Sequence, residues 1–101
     1  MARKIEWTQK ARDDLRGIYH FIAQDSKRYA QIQVEKIQNS ISYLADSPLM
    51  GRTIPEFPHL PYRELLSGNY RALYRYDEKQ DRILILAVVH GKRLLREEDF
   101  I

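Results

Sequence analysis

The chain has 101 residues, 44% of them apolar and 31% charged, which suits one folded domain, residues 1–101, and leaves no room for a second. Seventeen Lys and Arg against fourteen Asp and Glu leave a net charge of +3, a weak bias toward acidic partners that a solubilising charge excess explains equally well. The lack of cysteine excludes disulfides and thiolate metal sites.

The basic start Met1-Ala2-Arg3-Lys4 runs into Ile5-Glu6-Trp7 and not into the apolar stretch of a signal peptide. The longest apolar run, Ile83 to Val89, is far below the roughly 20 residues a membrane helix needs. The expectation is a cytoplasmic protein without membrane contact, metal or small-molecule cofactor.

From Lys4 to Thr8 the residues alternate, Ile5 and Trp7 against Lys4, Glu6 and Thr8, as in a half-buried strand at or near a sheet edge. Thr8 then offers an N-cap, and Ala11, Leu15, Ile18 and Ile22 recur at helical spacing. Gly17 interrupts this helix at a cost of about 1 kcal/mol relative to alanine, tolerable where another element comes close. Asp25-Ser26 offers a second N-cap, followed by Ala30, Val34, Ile37, Ile41 and Leu44. The short break predicts an antiparallel helical hairpin with both stripes facing inward. Ser47-Pro48 is read as the end of the second helix, because the residue before proline leaves the α region.

All four prolines, Pro48, Pro55, Pro58 and Pro61, fall in one connection, either a functional loop or a stiff crossover covering the sheet edge. Tyr62 to Leu66 and Tyr70 to Tyr76 flank Ser67-Gly68-Asn69 and read as a hairpin. Asp77 to Asp81 makes a second turn. Ile83 to Val89 is apolar throughout, as in a central strand buried on both faces. The order βααβββ is α+β: an N-terminal strand, a helical hairpin, an antiparallel three-stranded meander and a short charged tail from Leu94 to Ile101.

Five segments in this order resemble the RelE/ParE superfamily of bacterial and archaeal type II toxins over essentially the whole chain. They are Ile5-Glu6-Trp7 with Ala11 and Leu15; Leu44 with Pro48-Leu49-Met50-Gly51-Arg52; Arg63-Glu64-Leu65; Tyr70-Arg71-Ala72-Leu73-Tyr74; and Val89-His90-Gly91-Lys92-Arg93. The resemblance implies a growth-inhibiting toxin, of the kind associated with plasmid stabilisation, silenced by an antitoxin encoded beside it. It implies either of two targets. RelE-type members bind the ribosome and cut mRNA without metal, whereas ParE-type members poison DNA gyrase and carry no nuclease role.

Cutting RNA without metal needs a base, an acid and cations on the scissile phosphate. Arg71 and Arg93 are similar in position to the two phosphate-contacting arginines of RelE-type toxins, and arginine presents a planar, permanently charged fork to phosphate. The structural alternative for Arg71 is an ion pair with Glu64 or with an acid of the tail. His90 is of the residue type that exchanges protons near neutrality, although a histidine at a strand end is commonly only hydrogen-bonded. Arg63 falls near the first of two lysines those nucleases carry, while the second corresponds to Leu65, which does not ionise. The tail holds Phe100 in place of a tyrosine, able to stack but not to transfer a proton, and Glu97, Glu98 and Asp99 repel an RNA backbone unless arginines pair with them. Arg71, Arg93 and His90 are therefore catalytic candidates only on the RelE-type reading; the residues place the chain nearer the ParE-like branch.

On the strand from Tyr70 to Tyr76, Arg71, Leu73 and Arg75 share one face. A three-residue turn before it puts Arg63 and Leu65 beside Arg71, and a two-residue turn puts Glu64 and Leu66 there. With helices on one face of the sheet, the other is expected to receive the antitoxin or the target through Arg63, Arg71, Leu73, Arg75 and Arg93, an arginine-lined surface with an apolar floor. A plain nucleic-acid-binding module is the competing class, but no helix-turn-helix, zinc site or aromatic RNA-binding signature is present. A degenerate member of the family that has lost toxicity is a further alternative.

Overall fold

The computed structural model describes residues 3–100, the side chain of Phe100 excepted. Its elements are β1 (Lys4–Trp7), α1 (Gln9–Ala23), α2 (Lys27–Ser42), β2 (Arg52–Thr53), β3 (Arg63–Ser67), β4 (Tyr70–Asp77) and β5 (Arg82–His90), with a 3₁₀ turn at Glu97–Phe100 in the tail. The strands form one sheet in the order β1-β5-β4-β3-β2. Only β1 runs parallel to its neighbour, Lys4–Trp7 lying against Arg82–Ile85; the other pairs are antiparallel.

Both helices start on the caps the sequence offers. Thr8 Oγ1 accepts from the Ala11 N–H at 3.1 Å, and Ser26 Oγ accepts from the Tyr29 N–H at 3.0 Å, each satisfying a donor that the first helical turn leaves open. The end of the second helix differs from expectation. α2 stops at Ser42 and the chain tightens into a 3₁₀ turn, Tyr43–Ala45, so Leu44 reaches the core from that turn and Pro48 lies beyond it. Short turns of this kind close a helix whose last carbonyls lack partners.

β5 is an interior strand flanked by β1 and β4, which accounts for its unbroken apolar run, although the middle place expected for it belongs to β4. Its register against β4 slips between Leu73 and Tyr74, where Leu73 faces Ala87 and Tyr74 faces Ile85. The extra residue, Leu86, makes a bulge that reverses the faces beyond it. Ile83, Ile85 and Val88 therefore join Ala11, Leu15, Ile37 and Ile41 in the core under the helices. Ala87 and Val89 turn to the opposite face.

That opposite face is where structure and expectation part. It is not left open: Ile54 and Leu95 close over Leu73, Ala87 and Val89 in a second core, with Phe57 and Tyr62 packed against it. The proline-rich connection does this because its two-residue strand β2 pairs with the edge of β3, Arg52 opposite Glu64 and Thr53 opposite Arg63, and the chain then folds back across the sheet. The crossover role foreseen for the prolines is the one observed, and it covers the face on which a partner was expected.

Candidate functional site

The site is set by the β3–β4 turn. Ser67 pairs with Tyr70, so the turn has two central residues, Gly68 and Asn69. Gly68 has φ +58°, at the position where a type II′ hairpin turn needs a positive angle. This register puts Leu66 opposite Arg71 and Glu64 opposite Leu73, so Glu64 shares a face with Arg71. Arg63 falls on the other face opposite Tyr74, and its Nη1 donates to the Gly51 carbonyl at 2.8 Å.

Arg71 is buried, 6% exposed, next to Glu64 at 1%. Its Nε donates to Glu64 Oε1 at 2.7 Å. Its Nη2 and Nη1 form a fork on Glu56, at 2.8 and 3.0 Å, and Nη1 also reaches the Arg93 carbonyl at 3.4 Å. All three guanidinium nitrogens are thus engaged by the protein. The second oxygen of Glu64 accepts from Arg52 Nε at 2.7 Å, extending the chain of charges to Arg52-Glu64-Arg71-Glu56, two cations and two anions.

The hydrogen bonds from Arg71 hold the Glu56 carboxyl well below its ordinary value, at about 2, against the opposing effect of desolvation; the Leu95 N–H, which donates to Glu56 Oε2 at 3.2 Å, adds to the lowering. In return the two carboxylates raise the Arg71 pKa, with Glu56 contributing most and burial working against it.

The tail closes over this cluster. Leu95 is buried in the second core, and Arg93 Nη2 donates to Asp99 Oδ1 at 2.7 Å while the other oxygen of Asp99 accepts from the Arg96 N–H at 2.8 Å. One of the three consecutive acids is therefore neutralised inside the protein. Arg93 nonetheless keeps 53% of its side chain exposed. The side chain of Phe100, the residue in place of the nuclease tyrosine, lies outside the described residues.

His90 ends β5 and is exposed. Its Nδ1 accepts from the Lys92 N–H at 3.2 Å, and its ring stands edge-on to Tyr70 with centroids 5.6 Å apart. A shallow groove of about 300 Å³ brings Arg52, Leu66, Arg71, His90 and Lys92 together. The remaining sequence candidates divide between accessible and hidden: Arg75 is exposed on the Arg71 face, and Leu73 is fully buried beneath Ile54. Sequence reasoning foresaw the Arg71–Glu64 pair as an alternative but missed Glu56 and Arg52, which come from the irregular connection. Nothing local marks either one; the pairing of β2 with β3 brings Arg52 to Glu64, and the fold-back of the connection brings Glu56 to Arg71.

The family model for the ParE toxin of the type II toxin–antitoxin system parDE matches residues 5–95 of the chain. Among solved structures, the chain is similar to one in the chromosomal ParDE toxin–antitoxin system from P. aeruginosa, with 24% identity over 90% of this chain and 98% of that one and a TM-score of 0.73. It is also similar to a chain of the toxin–antitoxin complex RelBE2 from Mycobacterium tuberculosis, with 23% identity over 89% and 99% and a TM-score of 0.65. The isolated E. coli RelE toxin shares 12% identity over 92% and 88% with a TM-score of 0.63. At these identities the likenesses are ones of fold. No curated protein matches the chain.

Proposed function

The chain belongs to the ParE toxin family of type II toxin–antitoxin systems, and from that premise we propose that it arrests growth by binding DNA gyrase, with no chemistry of its own, and is silenced by a cognate antitoxin. The observation that carries the non-enzymatic reading is the state of Arg71. A phosphate-stabilising arginine must offer its N–H groups to the substrate, and here Glu56, Glu64 and the Arg93 carbonyl already take them. The cluster of Arg52, Glu64, Arg71 and Glu56 sums to zero charge, so it projects little field toward a polyanion. Glu56, ionised and locked in its fork, is not free to act as acid or base.

The choice of gyrase follows the ParE-type side of the superfamily, and the family match and the ParDE neighbour support it. The antitoxin follows from the same membership and from similarity to chains of ParDE and RelBE systems. Both partners place its action in the cytoplasm. Among the described residues no helix is long and apolar enough to cross a membrane.

One observation favours the RelE-type reading as a second: exposed His90 and Lys92 share a groove with Arg71 and Arg52, a basic rim with one residue suited to proton transfer. Induced expression in a bacterial host separates the two. Growth arrest with DNA-damage signalling, intact mRNA and inhibited supercoiling by purified gyrase is the expected result; codon-positioned mRNA cleavage overturns the gyrase reading. Arrest must also be relieved by co-expression of the adjoining reading frame.

A further inference from the structure

Gly17 lies midway along α1, where glycine weakens a helix and is expected where something must approach closely. Within the described chain nothing does: apart from its chain neighbours and the backbone of α1 itself, a Cβ placed on Gly17 meets no atom within 4 Å. The space belongs to an open groove of about 420 Å³ between α1 and the end of β5, walled by Ile18, Phe21, Val88, His90 and Arg93. Phe21 stands at its rim with 71% of its surface exposed.

The β5 wall of this groove is a sheet edge. β1 ends with Trp7 opposite Ile85, and beyond that point no strand among the described residues flanks β5 on the α1 side. Gly91 N donates to the Asn69 carbonyl at 2.7 Å, which makes Tyr70 and His90 a non-hydrogen-bonded pair of the β4–β5 ladder. The backbone groups of His90, and by the two-residue repeat those of Val88, therefore point away from β4 and toward α1. Two of these four groups are used: the Val88 N–H donates to Asp14 Oδ2 at 3.0 Å, and the His90 carbonyl accepts from the Arg93 N–H at 3.0 Å. The remaining two, the Val88 carbonyl and the His90 N–H, are the set that a single residue of a parallel strand takes up, whereas an antiparallel residue needs both groups of one residue.

Charge marks the two ends of the groove differently. Asp13 and Asp14 at one end are engaged by Arg16 and Lys10. The other end carries His90 and Arg93, with Asp99 as the counter-charge on Arg93, whose side chain stays 53% exposed, and it is complementary to a carboxylate.

We propose that an extended segment of the antitoxin runs parallel to the free end of β5, bonds the Val88 carbonyl and the His90 N–H, lays a bulky apolar side chain over Gly17 against Ile18 and Phe21, and presents an acid to the Arg93 end. Strand addition with one anchoring side chain is an established mode of peptide capture. The inference rests on the antitoxin reading above.

The test uses the full chain and, as probe, the purified product of the adjoining reading frame, with affinity measured by calorimetry. Gly17→Trp fills the groove and is expected to melt within a few degrees of the parent while binding at least about tenfold more weakly; Gly17→Ala is expected to melt at or above the parent. In the parent complex the His90 amide becomes protected from hydrogen exchange, a readout that holds even if the tryptophan variant fails to fold. Parent-like affinity of a folded Gly17→Trp, or an unprotected His90 amide, overturns the groove while leaving the antitoxin reading intact. Failure of the parent to bind the probe overturns both. A dimer of the parent alone that Gly17→Trp dissociates, read by sedimentation, assigns the groove to a second copy of the chain and overturns the proposal.

Discussion

Arg71 and Glu64 sit diagonally across the β3–β4 ladder, with Leu66 facing the arginine and Leu73 facing the glutamate, and a 2.7 Å hydrogen bond from Arg71 Nε to Glu64 Oε1 closes the diagonal. Both are buried. Removing one member of a buried pair leaves an uncompensated charge and costs about 3–5 kcal/mol, whereas replacing both by apolar groups is often close to neutral. Arg71→Ala is expected to lose stability in that range in urea unfolding. Arg71→Met combined with Glu64→Leu and Glu56→Gln is expected to recover more than half of the loss, because no buried carboxylate is then left without its cation and the freed Arg52 side chain, 62% exposed, rehydrates.

The Glu56–Arg71 fork predicts an acid limb. Glu56 falls from an ordinary value of 4.5 to about 2 in the folded protein, so its contribution is complete above the ordinary value and is lost as pH drops toward 2. Allowing for the solvent that reaches the pair, it amounts to about 2 kcal/mol. Unfolding free energy measured between pH 5 and pH 2 should fall more steeply for the parent than for Glu56→Gln; parallel profiles remove the fork from the stability account.

Tyr74 carries a turn rather than a reaction. Its buried hydroxyl donates to the Pro48 carbonyl at 2.8 Å and accepts from the Gly51 N–H at 2.9 Å, and burial pushes the phenol pKa up, keeping the proton in place. Tyr74→Phe strands two buried backbone groups and is expected to cost about 1–3 kcal/mol. Gly51→Ala is expected to cost more, since its Cβ stands 2.5 Å from the Glu64 carbonyl oxygen and 2.6 Å from the Tyr74 hydroxyl. Thermal melts of the two variants check the order.

Thr8 joins helix and sheet through one oxygen, accepting from the Ala11 N–H and donating to the Leu86 carbonyl at the bulge, both at 3.1 Å. Thr8→Val keeps the shape and removes both bonds, for an expected loss of about 1–2 kcal/mol. Thr8→Ser is expected to restore most of it. Equal melting temperatures for the two variants contradict this dual role.

How far the site was readable depends on the separation of the residues that make it. Glu64 and Arg71 flank one short turn, so their meeting reduced to a single alternative, two or three turn residues, which local glycine chemistry decides. Glu56 and Arg52 lie in a segment without periodicity, and Asp99 lies in the tail; their partners are chosen by packing at a distance. The same holds for the second face of the sheet, where Leu73 and Arg71 look available in a strand pattern and are covered once the prolines turn the chain back.

Periodicity, capping residues and apolar runs are local quantities, and they determined the βααβββ order of the main elements, the two N-caps at Thr8 and Ser26, the edge position of β1 and the interior place of β5, but not the short strand β2. Whether Arg71 met a substrate or two carboxylates was decided only in the tertiary structure. The reason is physical: a buried guanidinium must be neutralised by whatever charge the fold brings within hydrogen-bonding reach, and here that charge comes from Glu64 on the next strand and from Glu56 in the connection that crosses the sheet.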